Sequence, residues 1–303
     1  MKAIVCTAYG SPDVLRLADV EKPSPKDKEV LIQIHATTVT SGDCRARSFE
    51  CPTLYWIPMR IVLGFTKPRQ PILGVEFSGV VESVGKQVTR FKPGDQVYGL
   101  SGMRFGAYAE YACMPEAGVM AVKPANVSFE DAAAVAFGAT TALHFFRKGK
   151  LGSGQRVLIY GASGAVGTAA VQIAAALGAE VTGVCSTANM GLVKSLGASR
   201  VFDYTKEDFA ASGGPYDLIF DAVGKTSKAA CKSALAQNGT FVSVEGQGMA
   251  KELSQDLAYM NGLMEAGIYR PAIDRRYPLD QVPEAHGYVQ EGRKKGNVVI
   301  TVR

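Results

Sequence analysis

The sequence contains no apolar run long enough to cross a membrane, which excludes a helical membrane span. No two of its six cysteines (Cys6, Cys44, Cys51, Cys113, Cys185 and Cys231) form a CxxC pair, and there are only three histidines, His35, His144 and His286. These spacings support neither a disulfide framework nor a metal-ligand set, so no metal is expected. Cys6 and Cys185 sit in apolar, strand-like runs and read as small core residues. Blocks of like charge are also missing. Lys and Arg number 33 against 28 acids, but they are scattered, and the tightest cluster, Arg293-Lys294-Lys295, reads as a solvated turn. That gives no support to a nucleic-acid partner. The opening stretch, MKAIVCTAYGSPDVL, has neither the apolar core nor the small-residue cleavage site of a secretory signal, so a cytoplasmic address is expected.

What is present is an ordinary globular balance, with 47% hydrophobic and 20% charged residues over 303 positions, enough for two domains. The first part reads as β-rich. Strand-like runs at Lys2 to Cys6, Glu29 to Thr37, Glu76 to Val84, Asp95 to Leu100 and Tyr108 to Cys113 are separated by Gly and Pro turns. Residues 49–73 interrupt that pattern with four prolines and the single tryptophan, Trp56. Such an irregular apolar segment is either a surface flap or a cover over a substrate.

From about residue 126 helix and strand alternate. Helices are expected at Glu130 to Lys148, Ala165 to Leu177, Asn189 to Leu196 and Thr226 to Ala236. Strands are expected at Arg156 to Tyr160, Ala179 to Val184, Arg200 to Phe202, Tyr216 to Asp221 and Thr240 to Val244. Alternation of this kind means βαβ units and a parallel sheet. Val244 then leads almost directly into a final helix. Glu245 to Ala250 is too short for a further crossover, so the sheet is expected to stop at five strands. The last stretch, with RPAIDRRYPL and GNVVITV, returns to strand character. The simplest architecture is α/β: a β-rich domain from residues 1–125 and 267–303, with a doubly wound domain, residues 126–266, inserted between.

The strand RVLIY runs into Gly161-Ala162-Ser163-Gly164-Ala165-Val166-Gly167 and then a helix. That is the strand–turn–helix context a dinucleotide fingerprint requires. Gly161 permits the tight turn, Gly164 lets backbone approach a pyrophosphate, and Gly167 lets the helix pack closely on the sheet. The helix start offers free N–H groups to phosphate. The next strand ends in Cys185-Ser186-Thr187 without the carboxylate that would bind the ribose of NAD. Its absence permits NADP, and the two hydroxyls can donate to phosphate. Ala188 and Asn189 stand where a cationic residue would be expected.

Taken together, AYGSPDVL, ILGVEFSGVVESVG, FKPGDQVYG, GAYAEY, GASGAVG, VFDYTKEDF, DAVG and GNVVITV resemble the zinc-free quinone oxidoreductase and enone reductase branch of the medium-chain dehydrogenase/reductase superfamily. The likeness extends over nearly the whole chain. It implies a GroES-like β-domain plus a Rossmann domain with the active site in the cleft between them. The implied activity is NADPH-dependent hydride transfer to quinones or to the C=C of α,β-unsaturated carbonyls, on a small apolar or aromatic substrate. A zinc-free alcohol/ketone oxidoreductase and a non-catalytic NADPH-binding redox sensor are the alternatives. Zinc-dependent relatives carry Cys where this chain has Thr40 and His where it has Val75, and neither replacement ligates zinc.

The resemblance also implies roles. Ser163, Gly164, Ala165 and Val166 hold the pyrophosphate; Ser186 and Tyr204 face the 2′-phosphate; Cys185 lines the adenosine pocket. Ala222, Val223 and Gly224 flank the ribose, Thr141 sits near the nicotinamide, and Asn297 is a C-terminal contact to the cofactor. Thr40 and Asp43 lie at the floor of the cleft, and Tyr55 is a candidate proton donor to the substrate α-carbon. Plainer readings stand beside three of these: Tyr204 as a packing residue, Asp43 as a cap of local backbone, and the Tyr55–Trp56 pair as packing. Two departures from the family pattern matter. Thr40-Ser41 replaces Asn-Pro, which removes a side-chain amide from the site. The strand missing after Val244 is the one that pairs across the family dimer, so a monomer or an atypical dimer is expected.

Overall fold

In a computed structural model, which describes residues 1–51 and 56–303, the chain divides into two compact units. One comprises Met1–Ala136 and Ile273–Arg303, the other Phe137–Ala272. In chain order the strands and helices are β1 (Lys2–Cys6), β2 (Leu15–Asp19), β3 (Glu29–Thr38), α1 (Ser41–Ser48), α2 (Trp56–Leu63), β4 (Glu76–Val84), β5 (Gln96–Leu100), β6 (Tyr111–Pro115) and β7 (Val119–Val122). They continue with α3 (Phe129–Ala133), α4 (Ala136–Gly149), β8 (Arg156–Tyr160), α5 (Ala165–Ala176), β9 (Glu180–Cys185), α6 (Met190–Ser195), β10 (Arg200–Asp203), α7 (Phe209–Ser212) and β11 (Tyr216–Asp221). The last are β12 (Leu235–Ser243), α8 (Ser254–Glu265), β13 (Ile273–Pro278), α9 (Val282–Gln290) and β14 (Asn297–Thr301).

The first unit is built on a mostly antiparallel sheet of order β13-β14-β3-β4-β5-β7, with β6 also on β3, beside a β1–β2 hairpin. Its central strands are buried at successive positions, so both faces are covered: Val30, Leu31 and Ile32 on β3 and Glu76, Phe77, Ser78 and Gly79 on β4, whereas β6 alternates. Ile32, Ile34, Phe77, Val97 and Met120 fill one core, and Ile4, Leu73, Tyr108, Val282 and Val298 fill another under α9. The start of the expected long helix at Glu130 to Lys148 is a separate short helix, α3. The Ser128 hydroxyl caps it by accepting from Asp131 N–H. Ala133 and Ala134 close against Ala36 and Val299, and Ser78 Oγ donates to Phe129 O, so α3 belongs by packing to the β-rich unit.

Within 49–73 the structure differs from the irregular segment expected. Trp56–Leu63 forms α2, with Pro58 in the first turn, where a missing N–H costs nothing. Ile57, Ile61, Val62 and Phe65 remain exposed. Arg60 stacks its guanidinium over the rings of Tyr9, Phe49 and Trp56. Tyr55 lies outside the described residues.

Among the described residues the second unit holds a parallel sheet of five strands in the order β10-β9-β8-β11-β12. This is a doubly wound order with its switch point beside β8, and ligands bind such sheets at the strands' C-terminal ends. Nine of the twelve α5 residues are buried, because Ala and Val on every side let the helix sink against β8 and β9. The helix expected at Thr226 to Ala236 does not form. The Asp221 carboxylate accepts from the N–H groups of Val223, Gly224 and Thr226, which holds the chain in turns. A short 3-10 turn at Lys232–Ala234 then leads into β12.

The second unit is also clamped by a two-pronged ion pair. Arg147 on α4 donates to both carboxylate oxygens of Asp256 on α8, at 2.6 and 3.1 Å. Asp256 is almost fully buried and Arg147 is partly exposed. We expect Asp256→Ala to cost about 1–2 kcal/mol, because the freed guanidinium can rehydrate. Calorimetry should register this as a fall in the unfolding temperature of the second unit. An unchanged temperature would mean that the pair contributes nothing to stability.

Candidate functional site

The fingerprint turn folds as its glycines require. Gly161 has φ +77°, and a Cβ there would meet Val223 Cγ1 at 2.5 Å. A Cβ at Gly167 would stand 2.1 Å from Gly161 O and 2.7 Å from Ala162 Cα, so α5 crosses the turn in backbone contact. Gly161 N–H and Ala162 N–H both donate to Val184 O at 3.0 Å, which ties the turn to β9. Gly164 is the extended N-cap of α5 and carries no side chain to occupy the helix start. The first-turn N–H groups of Ala165, Val166 and Gly167 therefore lack intrahelical acceptors and face a position suited to an anion. This cradle, closed to a Cβ at Gly161 and Gly167 but open at Gly164, fits a dinucleotide pyrophosphate.

Other residues expected at the cofactor gather around that turn. Cys185, buried at the end of β9, has its thiol pushed up to about 11 by burial, so it is a neutral wall. Ser163 and Ser186 are brought together by a residue the sequence pattern did not flag. Asn189 Nδ2 donates to Ser163 Oγ at 3.1 Å and to Ser186 Oγ at 3.3 Å. Tyr204 follows β10 and is about half exposed, tilted against Tyr160. Ala222, Val223 and Gly224 form the turn that Asp221 organises, and Ser243 Oγ donates to the same carboxylate at 3.2 Å. Thr141 lies buried on α4, and its Oγ1 has no partner among the described residues. Asp221 and Asn189 act by holding neighbours, and fingerprint spacing says nothing of such partners.

The remaining site residues belong to the first unit. Thr40 is the N-cap of α1 in a reciprocal capping box. Its Oγ1 accepts from Asp43 N–H at 3.1 Å and donates to Asp43 Oδ2 at 2.6 Å; its own N–H reaches the same oxygen at 2.9 Å. Asp43 is fully buried, so burial raises its carboxyl to about 6 even against the Thr40 hydrogen bonds. Its Oδ1 has no partner of hydrogen-bond geometry, although Tyr108 and the Gly74 N–H lie beside the carboxylate. Tyr108 Oη is 3.2 Å from His286 Nε2, and His286 Nδ1 is 3.5 Å from Cys44 Sγ. Burial pushes His286 down to about 3. This chain of polar side chains runs through the apolar core under α9. Asn297 opens β14, also in the first unit.

Zinc does not fit the positions that carry it in zinc-dependent relatives. The Thr40 hydroxyl is spent on the capping box, and Val75 offers no donor and packs against the core. Among the described residues no three His, Cys, Asp or Glu side chains converge as a metal would need.

Comparison with known proteins agrees with this construction. The family model described as "Alcohol dehydrogenase GroES-like domain" matches residues 26–124, and the one described as "Zinc-binding dehydrogenase" matches residues 165–279. The chain is 34% identical to a 2-methylene-furan-3-one reductase of Solanum lycopersicum, over 99% of this chain and 79% of that one. It is 30% identical to the quinone oxidoreductase of Homo sapiens, over 96% and 94%. Among solved structures it resembles a mycobacterial protein in complex with NADPH, with TM-score 0.83, 27% identity and full coverage of both chains.

Proposed function

The chain belongs to the medium-chain dehydrogenase/reductase superfamily, and on that premise we propose that it is an NADPH-dependent oxidoreductase. Its substrates are quinones or the C=C bonds of α,β-unsaturated carbonyls, and it works without zinc. The observation that carries this reading is the cradle at Gly161–Gly167, where side chains are excluded by backbone contact and the start of α5 is open. The carboxylate-free end of β9 supports NADP over NAD. A bound reduced nicotinamide would supply the hydride.

The protein's own residues bind, orient and exclude. Ser163, Gly164, Ala165 and Val166 take the pyrophosphate, while Cys185, Ser186 and Tyr204 line the adenosine side. Ala222, Val223 and Gly224 are held rigid by Asp221 for the ribose, and Thr141 and Asn297 are further cofactor contacts in this reading. Asp43, fully buried, acts through Thr40, whose hydroxyl it holds in one orientation. Charge developing on a carbonyl oxygen must be met by hydrogen-bond donors, since no Lewis acid serves. The cytoplasmic address belongs to the same reading; among the described residues no helix is long and apolar enough to cross a membrane.

The test is consumption of NADPH and, separately, NADH, with a chelator present and a 2-alkenal, an alkenone or a simple quinone as acceptor. We expect turnover with NADPH that survives chelation. Absence of turnover with every acceptor, while nicotinamide fluorescence still reports binding, would overturn the reductase and leave a redox sensor.

A further inference from the structure

The C-terminal ends of β9 and β10 hold a charge arrangement that the glycine fingerprint does not require. The two strands are parallel with Asp203 beside Cys185, and Tyr204 N–H donates back to Cys185 O at 3.2 Å. Ser186-Thr187 and the turn Tyr204-Thr205-Lys206 therefore lie side by side. The Asp203 carboxylate is buried between them. Its Oδ1 accepts from Thr205 N–H at 3.0 Å and from Thr205 Oγ1 at 2.7 Å, and its Oδ2 accepts from Thr187 Oγ1. Those hydroxyl and amide donors, Thr187 first, hold its carboxyl down to about 2. Lys206 Nζ stands 3.8 Å from Oδ2, and its side chain is 65% exposed.

Counting donors against acceptors decides what this corner can bind. An NAD site needs a carboxylate with spare acceptor capacity for a ribose hydroxyl. Asp203 has little to spare, since both its oxygens are engaged from within the protein. The surplus is of donors. Lys206 carries three N–H bonds and makes no close hydrogen bond to Asp203 at that distance. Asn189 Nδ2 lies between Ser163 Oγ and Ser186 Oγ and donates to both, which leaves both serine hydroxyl hydrogens to donate elsewhere. Surplus donors and a cation suit a phosphate and do not suit a neutral hydroxyl.

We propose that Lys206 and Asn189 set the cofactor preference of this chain: Lys206 supplies the cation for a 2′-phosphate on the adenosine ribose, and Asn189 positions the Ser163 and Ser186 hydroxyls as donors toward it. The inference rests on the dinucleotide reading above. The cation comes from the turn after β10, while the sequence position where one is expected, after β9, holds Ala188 and Asn189. Lys206 also neutralises Asp203, so removing it both deletes an attraction and uncovers a repulsion.

The experiment is fluorescence titration of the full chain with NADPH and with NADH, and thermal-shift titration with 2′,5′-ADP, at low and high salt. The variants are Lys206→Met, Lys206→Arg and Asn189→Ala. We expect the wild type to bind NADPH more tightly than NADH, with the advantage shrinking as salt screens the exposed charge. Lys206→Met should raise the NADPH dissociation constant roughly tenfold or more and leave that for NADH within about twofold, as for loss of one charge-assisted contact. Lys206→Arg should restore the preference, and Lys206→Met should lose the salt dependence and the thermal shift with 2′,5′-ADP. Asn189→Ala should weaken both cofactors, NADPH more.

A wild type that favours NADPH while Lys206→Met keeps the same NADPH-to-NADH ratio overturns this inference and leaves the dinucleotide reading standing. A wild type that binds both cofactors but favours NADH overturns the inference together with the NADP preference. A wild type that binds neither overturns both the inference and the reading it rests on.

Discussion

Gly167→Ala should strongly destabilise the second unit, and Gly164→Ala, three residues earlier, should chiefly weaken its hold on a ligand. At Gly167 the added methyl would stand 2.1 Å from Gly161 O and under 3 Å from two Ala162 backbone atoms. No rotamer relieves a clash between Cβ and the backbone of Gly161 and Ala162, so the turn and α5 must separate. Overpacking a well-packed contact costs about 1–3 kcal/mol and occasionally more, and we expect the upper end because no flexible side chain can give. Cofactor affinity should fall by about a hundredfold or more with it, since the cradle is the same backbone. At Gly164 the nearest atom to an added Cβ is Gly161 O at 3.6 Å, an ordinary contact, and φ is −80°. The fold should lose at most about 1 kcal/mol through the poorer N-cap. A methyl there nevertheless stands where a pyrophosphate approaches, so NADPH binding should weaken by at least an order of magnitude. Gly191→Ala, within α6 and with nothing near its Cβ, should be neutral or slightly stabilising. Calorimetry and NADPH titration on the three variants separate these effects. Unaltered affinity in Gly164→Ala would show that the turn does not hold a pyrophosphate.

In the first unit, Asp43→Asn and His286→Gln should tilt the pH dependence of stability in opposite directions. The folded protein binds the Asp43 proton more tightly than the unfolded chain does, with values of about 6 and 3.8. Stability from this group is full below about 3.8 and is lost as pH rises through about 6, at about 1.4 kcal/mol per pH unit, or about 3 kcal/mol in all. His286 works the other way. Its folded value of about 3 lies below the ordinary 6.5, so its contribution is full above 6.5 and is lost as pH falls toward 3. Between about pH 4 and 6 the two slopes cancel in the wild type. Relative to the wild type, Asp43→Asn should therefore gain stability with rising pH by about 1.4 kcal/mol per unit in that window, and His286→Gln should lose as much. Trp56, the single tryptophan, lies in this unit and reports its unfolding in urea. Difference profiles that stay flat with pH would mean that neither group is held in its unusual protonation state by the fold.

The order of elements was largely legible because it depends on local periodicity. The apolar run RVLIY, the Ala-rich α5 and the short gap after Val244 each carry their own signal, and β8, α5 and a parallel sheet of five strands follow from them. The misreadings fall where side chains compete with that signal. Thr226 to Ala236 has helical composition, yet it runs in turns and one 3-10 turn behind the loop that the Asp221 carboxylate organises. Trp56–Leu63 sits among prolines and still forms α2, because its one internal proline falls in the first turn.

The site divides the same way. Gly161, Gly164 and Gly167 announce themselves because a backbone that must be approached closely permits no other residue, and that constraint is written at single positions. The sequence by itself therefore determined the family, the parallel sheet and the cradle. Only the tertiary structure decided how Asp43 is used. Its cap to Thr40 is local, but its burial beside Tyr108 and near His286 joins residues far apart along the chain, and desolvation exists only once they are packed. The same holds for Asn189 between two serines and for Lys206 beside Asp203. Those roles rest on distances across neighbouring strands, which one-dimensional spacing does not encode.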